Sequence, residues 1–193
     1  MHKPASTSTP IHPVLAERWS PRGFDAAAEI SNSDLLALLE AARWAPSSTN
    51  SQPWRFAVAR RGDELFNQIV EALAGFNKEW APAASALVVA IAETADSAGT
   101  PRKSADFDLG LAVSALTTQA TASGWHTHQM GGFNSGSVRE LFELEPQFKP
   151  VVVIAVGKQS DAADLSEALV NREQAPRTRL GLDEIVLNFG AIQ

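Results

Sequence analysis

Two prolines fence the stretch that most restricts how this chain can fold. Residues Ala45–Phe56 read APSSTNSQPWRF, between a leucine-rich segment, Asp34–Trp44, and a short apolar segment, Phe56–Ala59. Leu35, Leu36, Leu38, Leu39 and Ala42 fall at helical spacing, and Ser31, Asn32 and Ser33 supply a helix start with Asp34 in the first turn. Pro46 ends that helix, because it has no N–H to donate and its ring clashes with the preceding turn. Pro53 is expected to hold Gln52 extended, and Phe56–Ala59 reads as a strand. The loop between is rich in short hydroxyl and amide side chains, which both donate and accept hydrogen bonds. Two readings are open. The loop could grip a polar, planar ligand, or it could be an ordinary turn whose polar side chains satisfy their own backbone.

The same alternation of helix and short strand continues along the chain. Asp63–Ala74 reads as an amphipathic helix stopped by Gly75, Ala86–Ala92 as a strand and Asp106–Gly124 as a long helix. Gly110, Ala112, Ala115 and Ala122 keep the surface of the long helix thin, so another helix could approach it closely. Trp125–Met130 reads as a strand, Ser137–Glu143 as a short helix and Pro150–Gly157 as a buried strand. One central sheet with helices around it accounts for the pattern. The chain has 193 residues, 45% of them hydrophobic, enough for one domain with a real core. That domain is expected over residues 14–193, after a flexible arm over residues 1–13.

Charge and composition narrow the partners. A net charge of −6 argues against nucleic acid or an anionic membrane surface. No apolar run is long enough to span a bilayer, and the N-terminal stretch lacks the apolar core of a signal peptide. With no cysteine there is no disulfide, thiol nucleophile or thiolate metal site, and a cytoplasmic location is expected.

Several clusters bear on chemistry. Arg18, Ser20 and Arg22 alternate, so an extended or turning backbone could aim two guanidiniums and a hydroxyl at one anion; a solvated charged turn is the other reading. Gly131 and Gly132 let the backbone come close to a flat ligand. Arg177-Thr178-Arg179, taken alone, is a solvated basic patch. His126 and His128 share a strand face, but the remaining histidines, His2 and His12, lie in the arm, and no metal site is expected. Asp106 and Asp108 open a helix, where the dipole alone accounts for two acids.

Taken together these segments resemble the nitroreductase family of FMN-dependent NAD(P)H oxidoreductases. APSSTNSQPWRF is similar to its APS-x-x-N-x-QPW-x-F signature, and RWSPRGF at Arg18–Phe24 to its Arg-x-Ser-x-Arg-x-Phe run. MGGF at Met130–Phe133, the apolar Val151–Gly157 and the segment Arg177–Val186 follow in family order. The resemblance implies an α+β, three-layer sandwich with a central mixed, mostly antiparallel sheet. It also implies an intertwined homodimer with two FMN sites at the interface and the long helix central to it. In that scheme Arg18, Ser20, Arg22, Arg177 and Arg179 hold the phosphate or flank the flavin edge. Pro46, Ser47, Ser48 and Asn50 face the ring and ribityl chain, with Gln52 close by. Asn77 contacts the flavin or nicotinamide, and a backbone N–H at Gly131 and Gly132 points at the ring.

Three departures from the pattern stand out. Trp19, counted with the cofactor-binding residues, replaces a usual basic residue; Gly131 replaces an acid or proline; and the Thr94–Ser104 link is short where relatives carry a longer excursion. The short link implies an open pocket or a lid supplied from elsewhere. The implied activity is ping-pong hydride transfer from NADPH or NADH through FMN to nitroaromatics, quinones or similar small acceptors, with no catalytic side chain. The alternatives are a non-catalytic flavin carrier or redox sensor, and a reductase of small aldehydes or enoyl compounds.

Overall fold

A computed structural model describes residues 1–161 and 165–191. Four strands, β1 (Trp54–Arg60), β2 (Ala86–Glu93), β3 (His126–Met130) and β4 (Phe148–Gly157), form one sheet in the order β1-β2-β4-β3. Every pairing among the described residues is antiparallel. The register between β2 and β4 shifts after Ala90: Ala90 faces Val152, yet Ile91 faces Pro150. A bulge is expected there, because Pro150 has no N–H for the ladder.

Alternation along the strands divides the core in two. Leu87, Val89 and Ile91 of β2 join Val153 and Ala155 of β4 in one apolar cluster. Their neighbours Ala86, Val88, Ala90 and Ala92 join Ile154 and Val156 in another. Successive side chains point to opposite faces, so a strand covered on both sides must be apolar throughout, and β2 is buried at all eight positions. The first face is covered by α3 (Glu64–Ala72) and α6 (Ser135–Leu141), through Phe66, Ile69 and Val138. The second is covered by α2 (Asn32–Arg43) and α5 (Ala105–Ala122), through Leu35, Leu38, Leu109 and Leu116. Each such side chain removed from water stabilises the fold by roughly 1.5–3 kcal/mol. The result is the three-layer α+β sandwich.

Local chemistry sets the helix ends. Ser31 caps α2 by accepting the Asp34 N–H at 3.0 Å, and α5 gives way at Ser123 to Gly124, whose φ of 71° suits only glycine well. Three short helices lie outside the expected pattern: α1 (Pro13–Glu17), α4 (Asn77–Trp80) and α7 (Glu167–Gln174). A last short helix, α8 (Leu182–Ile185), lies within the apolar C-terminal run. The Thr94–Ser104 link is a tight turn, in which Asp96 accepts the N–H groups of Ala98 and Thr100.

The first residues, read from sequence as an arm, are tied to the body. The Ala5 N–H donates to the Ala16 carbonyl at 2.8 Å, and Lys3 Nζ donates to the carbonyls of Glu173 and Ala175. Among the described residues no helix is long and apolar enough to cross a membrane.

Candidate functional site

Both ends of the chain meet at a cavity of about 640 Å³ lined by Arg18, Arg177 and Arg179 together with Thr7, Leu182 and Ile185. Arg18 follows directly on α1, its N–H closing the helix on Val14 at 3.2 Å, and its guanidinium donates to Ser20 Oγ at 3.2 Å. Arg177 is fixed by the carbonyls of Lys3 and Ala16, at 2.7 and 2.8 Å. None of the three arginines forms an ion pair among the described residues. Burial lowers the Arg18 pKa, and the charges of Arg177 and Arg179 lower it further. Arginine keeps its charge regardless, so the cavity holds three like charges that an anion of two charges would relieve. Arg18, Arg177 and Arg179 thus line one cavity, and Ser20 reaches it only through its bond to Arg18.

Arg22 and Trp19 are disposed differently. The Arg22 backbone N–H and guanidinium both go to the buried Glu173 carboxylate, at 2.8 and 3.4 Å, and Arg22 is not in the cavity lining. Trp19 is buried, with Lys3 Nζ 4.9 Å from its ring centre. In place of a basic side chain turned to a ligand, this position has an apolar anchor for the segment that carries Arg18 and Ser20.

Beneath that segment His128 makes a 2.9 Å contact from Nδ1 to the Pro21 carbonyl. Since a carbonyl only accepts, Nδ1 carries the proton and the ring is neutral in that tautomer. Burial, with help from Arg22, pushes the His128 pKa from 6.5 down to about 4, although the Pro21 contact opposes this. Between these two values the unfolded chain binds a proton that the folded chain refuses, so stability falls as pH drops. The full contribution is present above pH 6.5, and the loss is expected to reach about 3 kcal/mol by pH 4. Chemical denaturation across that range checks it, and His128→Gln should remove this part of the slope.

The fenced loop follows α2. Ser48–Asn50 forms a 3-10 turn whose Thr49 and Asn50 have φ of 51° and 56°, and Gln52 has φ of 47°. Gln52 was expected to be extended before Pro53; it is instead left-handed, because its N–H turns back to Ser47 Oγ at 3.0 Å. Left-handed backbone in residues other than glycine costs roughly 1–2 kcal/mol each, so the loop is held against local preference. Asp108 Oδ2 accepts the Ser48 N–H at 3.1 Å.

Pro46 lines a second, shallower depression with Trp44, Leu111 and Thr118. The lining of the cationic cavity includes none of residues 46–52. Asn77, Gly131 and Gly132 line neither of the two, so within one chain the expected site residues fall in three groups.

On the other side of the sheet, Gly132 and Asn77 meet. The Gly132 carbonyl accepts the Ala74 N–H at 2.9 Å and Asn77 Nδ2 at 3.1 Å. A Cβ on Gly132 would sit 3.1 Å from Asn77 Nδ2, tight enough to displace the amide, whereas a Cβ on Gly131 would meet nothing. His126 is half-buried and its Nδ1 lacks a hydrogen-bond partner among the described residues, which also hold no group of three or more acidic or histidine side chains able to bind a metal. Sequence reasoning missed the roles of Lys3, Glu173 and Asp108. Asp108 was assigned to the helix dipole; the available sign was its place one helical turn before Ala112, on the buried side.

The chain is similar to known proteins. The nitroreductase family model matches residues 15–93 and 74–158. A 15.4 kDa uncharacterized protein of Mycolicibacterium smegmatis is 34% identical over 139 residues, 68% of this chain and 92% of that protein. An oxygen-insensitive NADPH nitroreductase of Helicobacter acinonychis is 45% identical over 76 residues, covering 39% of this chain and 35% of that one. A crystal structure of an oxidoreductase containing FMN superposes with a TM-score of 0.89 at 34% identity, over 95% of this chain and 93% of that one. By the family model and by the 34% identical relative, the chain belongs to the nitroreductase family.

Proposed function

We propose that this protein is an FMN-dependent NAD(P)H oxidoreductase that reduces small electron-poor acceptors such as nitroaromatics or quinones, working as a cytoplasmic homodimer on pyridine nucleotide. The observation that carries the reading is the convergence of Arg18, Arg177 and Arg179 on one cavity without a carboxylate partner among the described residues. The similarity to an FMN-containing oxidoreductase and to an NADPH nitroreductase supports the same cofactor and donor. FMN held there would supply the hydride-transfer chemistry between the nicotinamide and the acceptor.

The chain's own residues bind and orient. Arg18, Ser20, Arg177 and Arg179 hold the phosphate; Arg22 and Trp19 fix the segment that carries the first two. Asn77, Gly131 and Gly132 form the backbone platform beside the ring, where an N–H donor favours negative charge. Pro46, Ser47, Ser48, Asn50 and Gln52 complete the site from a second copy; within one chain none of them lines the cationic cavity. The dimer reading is supported by large apolar side chains left in water: Trp44 is 75% exposed and Phe107 69%. Residues 14–193 act as the single FMN-binding domain.

The test is the visible spectrum of purified protein, before and after anaerobic NADPH or NADH. A flavin spectrum that bleaches with either donor, and returns with a nitroaromatic or quinone, is the expected result. Flavin that binds without bleaching would instead indicate a carrier or sensor. A colourless protein that takes up no added FMN would refute the reading.

A further inference from the structure

The Ser47–Gln52 loop combines three left-handed residues with an exposed position, and surface loops of that kind are ordinarily left to move. Here the backbone is gripped from beneath by charge. Asp108, 3% exposed, accepts the Ser48 N–H. Arg102 Nη1 donates to the Ser51 carbonyl at 3.1 Å, and Arg55 Nη1 donates to the Gln52 and Trp54 carbonyls at 3.1 and 2.7 Å. Glu93 stands between the two arginines, 2.7 Å from Arg55 and 3.8 Å from Arg102, and its own N–H goes to the Pro53 carbonyl at 2.8 Å.

We propose that Asp108, Arg102, Arg55 and Glu93 form an ionic clamp that keeps this loop in the shape that receives the flavin ring, and that they are positioning residues for the oxidoreductase. The inference rests on the functional reading above. Two features separate the clamp from ordinary packing. Burying carboxylates is unfavourable unless each is bonded, and the bonds found for Asp108 and Glu93 serve the loop backbone or the arginines that hold it. The clamp also spends backbone and spares side chains. Among the described residues Ser48 Oγ, Ser51 Oγ and the Asn50 amide make no hydrogen bond, while the carbonyls of Ser51 and Gln52 and the N–H of Ser48 are all taken. A polar ring edge would find those side-chain groups unspent and already aimed by a fixed backbone.

The short Thr94–Ser104 link gains a role in this arrangement. It places Arg102 beneath the loop, its N–H closed on the Thr94 carbonyl at 2.8 Å. Arg102 Nε stays buried without a partner among the described residues, so the guanidinium is oriented for the loop at the expense of one donor.

The test compares FMN and riboflavin binding in the full-length protein, read by quenching of flavin fluorescence and by the fine structure of the bound flavin's long-wavelength band. Arg102→Ala and Asp108→Ala are expected to weaken both flavins alike, by about 10- to 100-fold for each charged bond lost, and to blur the band. Asp108→Asn keeps an acceptor for the Ser48 N–H and should restore most of the affinity. Should Asp108→Ala fail to fold, Arg102→Ala carries the test, since its side chain is partly exposed. Variants with lowered thermal stability but unchanged flavin binding and spectrum would overturn the clamp. So would loss of FMN binding alone, which would put these residues at the phosphate. Wild-type protein that binds neither flavin would overturn the functional reading, and the clamp with it.

Discussion

Replacing Arg18 and Arg179 together with alanine is expected to abolish tight FMN binding and leave riboflavin binding nearly untouched. The two flavins differ only in the phosphate, so their affinity ratio isolates what the cationic cavity contributes. A charge-assisted hydrogen bond is worth ~1.5–3 kcal/mol, so the double variant should lose about 10²- to 10⁴-fold for FMN. These two side chains suit the test because neither holds the chain ends together. Arg177, tied to Lys3 and Ala16, would confound binding with folding. Removing positive charge from a cluster of three also relieves repulsion, so the apoprotein should be no less stable, and a thermal melt without flavin checks that. Equal losses for FMN and riboflavin would move the phosphate away from this cavity.

The second large effect concerns stability. Trp80 is almost fully buried, its ring 4.5 Å from that of His128 and 6.0 Å from that of Phe24. Trp80→Ala should cost about 3–5 kcal/mol in denaturant unfolding, from lost contacts and the void left behind. Trp80→Phe should cost less than ~2 kcal/mol, since it keeps an aromatic face and discards an indole N–H that has no partner among the described residues. The void in Trp80→Ala would admit water to His128. Its depressed pKa would then rise toward the ordinary value, and the loss of stability between pH 7 and 4 should shrink. If Trp80→Phe proves as costly as Trp80→Ala, the indole N–H has a partner.

Much of this is legible in the sequence. The helix that leads into the fenced loop, the four strands and the family signature are local patterns, set by spacing and by proline and glycine. The grouping of Arg18 with Arg177 followed from resemblance, and no spacing rule could have supplied it across so long a separation. What stayed hidden were contacts in which a charged residue acts on distant backbone. Glu173 lay in a helix with weak apolar patterning, so nothing marked it as buried beside Arg22. Asp108 looked like half of an acidic pair at a helix start, yet one member pairs with Lys149 at the surface and the other turns inward to Ser48. The Gln52 conformation was misjudged because the proline rule weighs sterics alone, and a hydrogen bond to Ser47 outweighed it. The arm looked free because its residues are polar, and its ties run through Lys3 and backbone groups that composition does not reveal.

The stitching of the arm to the C-terminal segment has a kinetic consequence. Lys3, Ala16, Arg177 and Ala175 bond across nearly the whole length of the chain, while the sheet beneath needs none of those contacts. Closing so long a loop is entropically the dearest step, so this seam should be the last to zip during refolding. Local opening draws on the least stable units first, so it should also be the first to breathe. A phosphate bound there would leave by a route that spares the hydrophobic core, and its residence time would report fraying of the seam while the sandwich stays folded. Hydrogen exchange at the Ala5 amide, bonded to Ala16, would time that breathing directly.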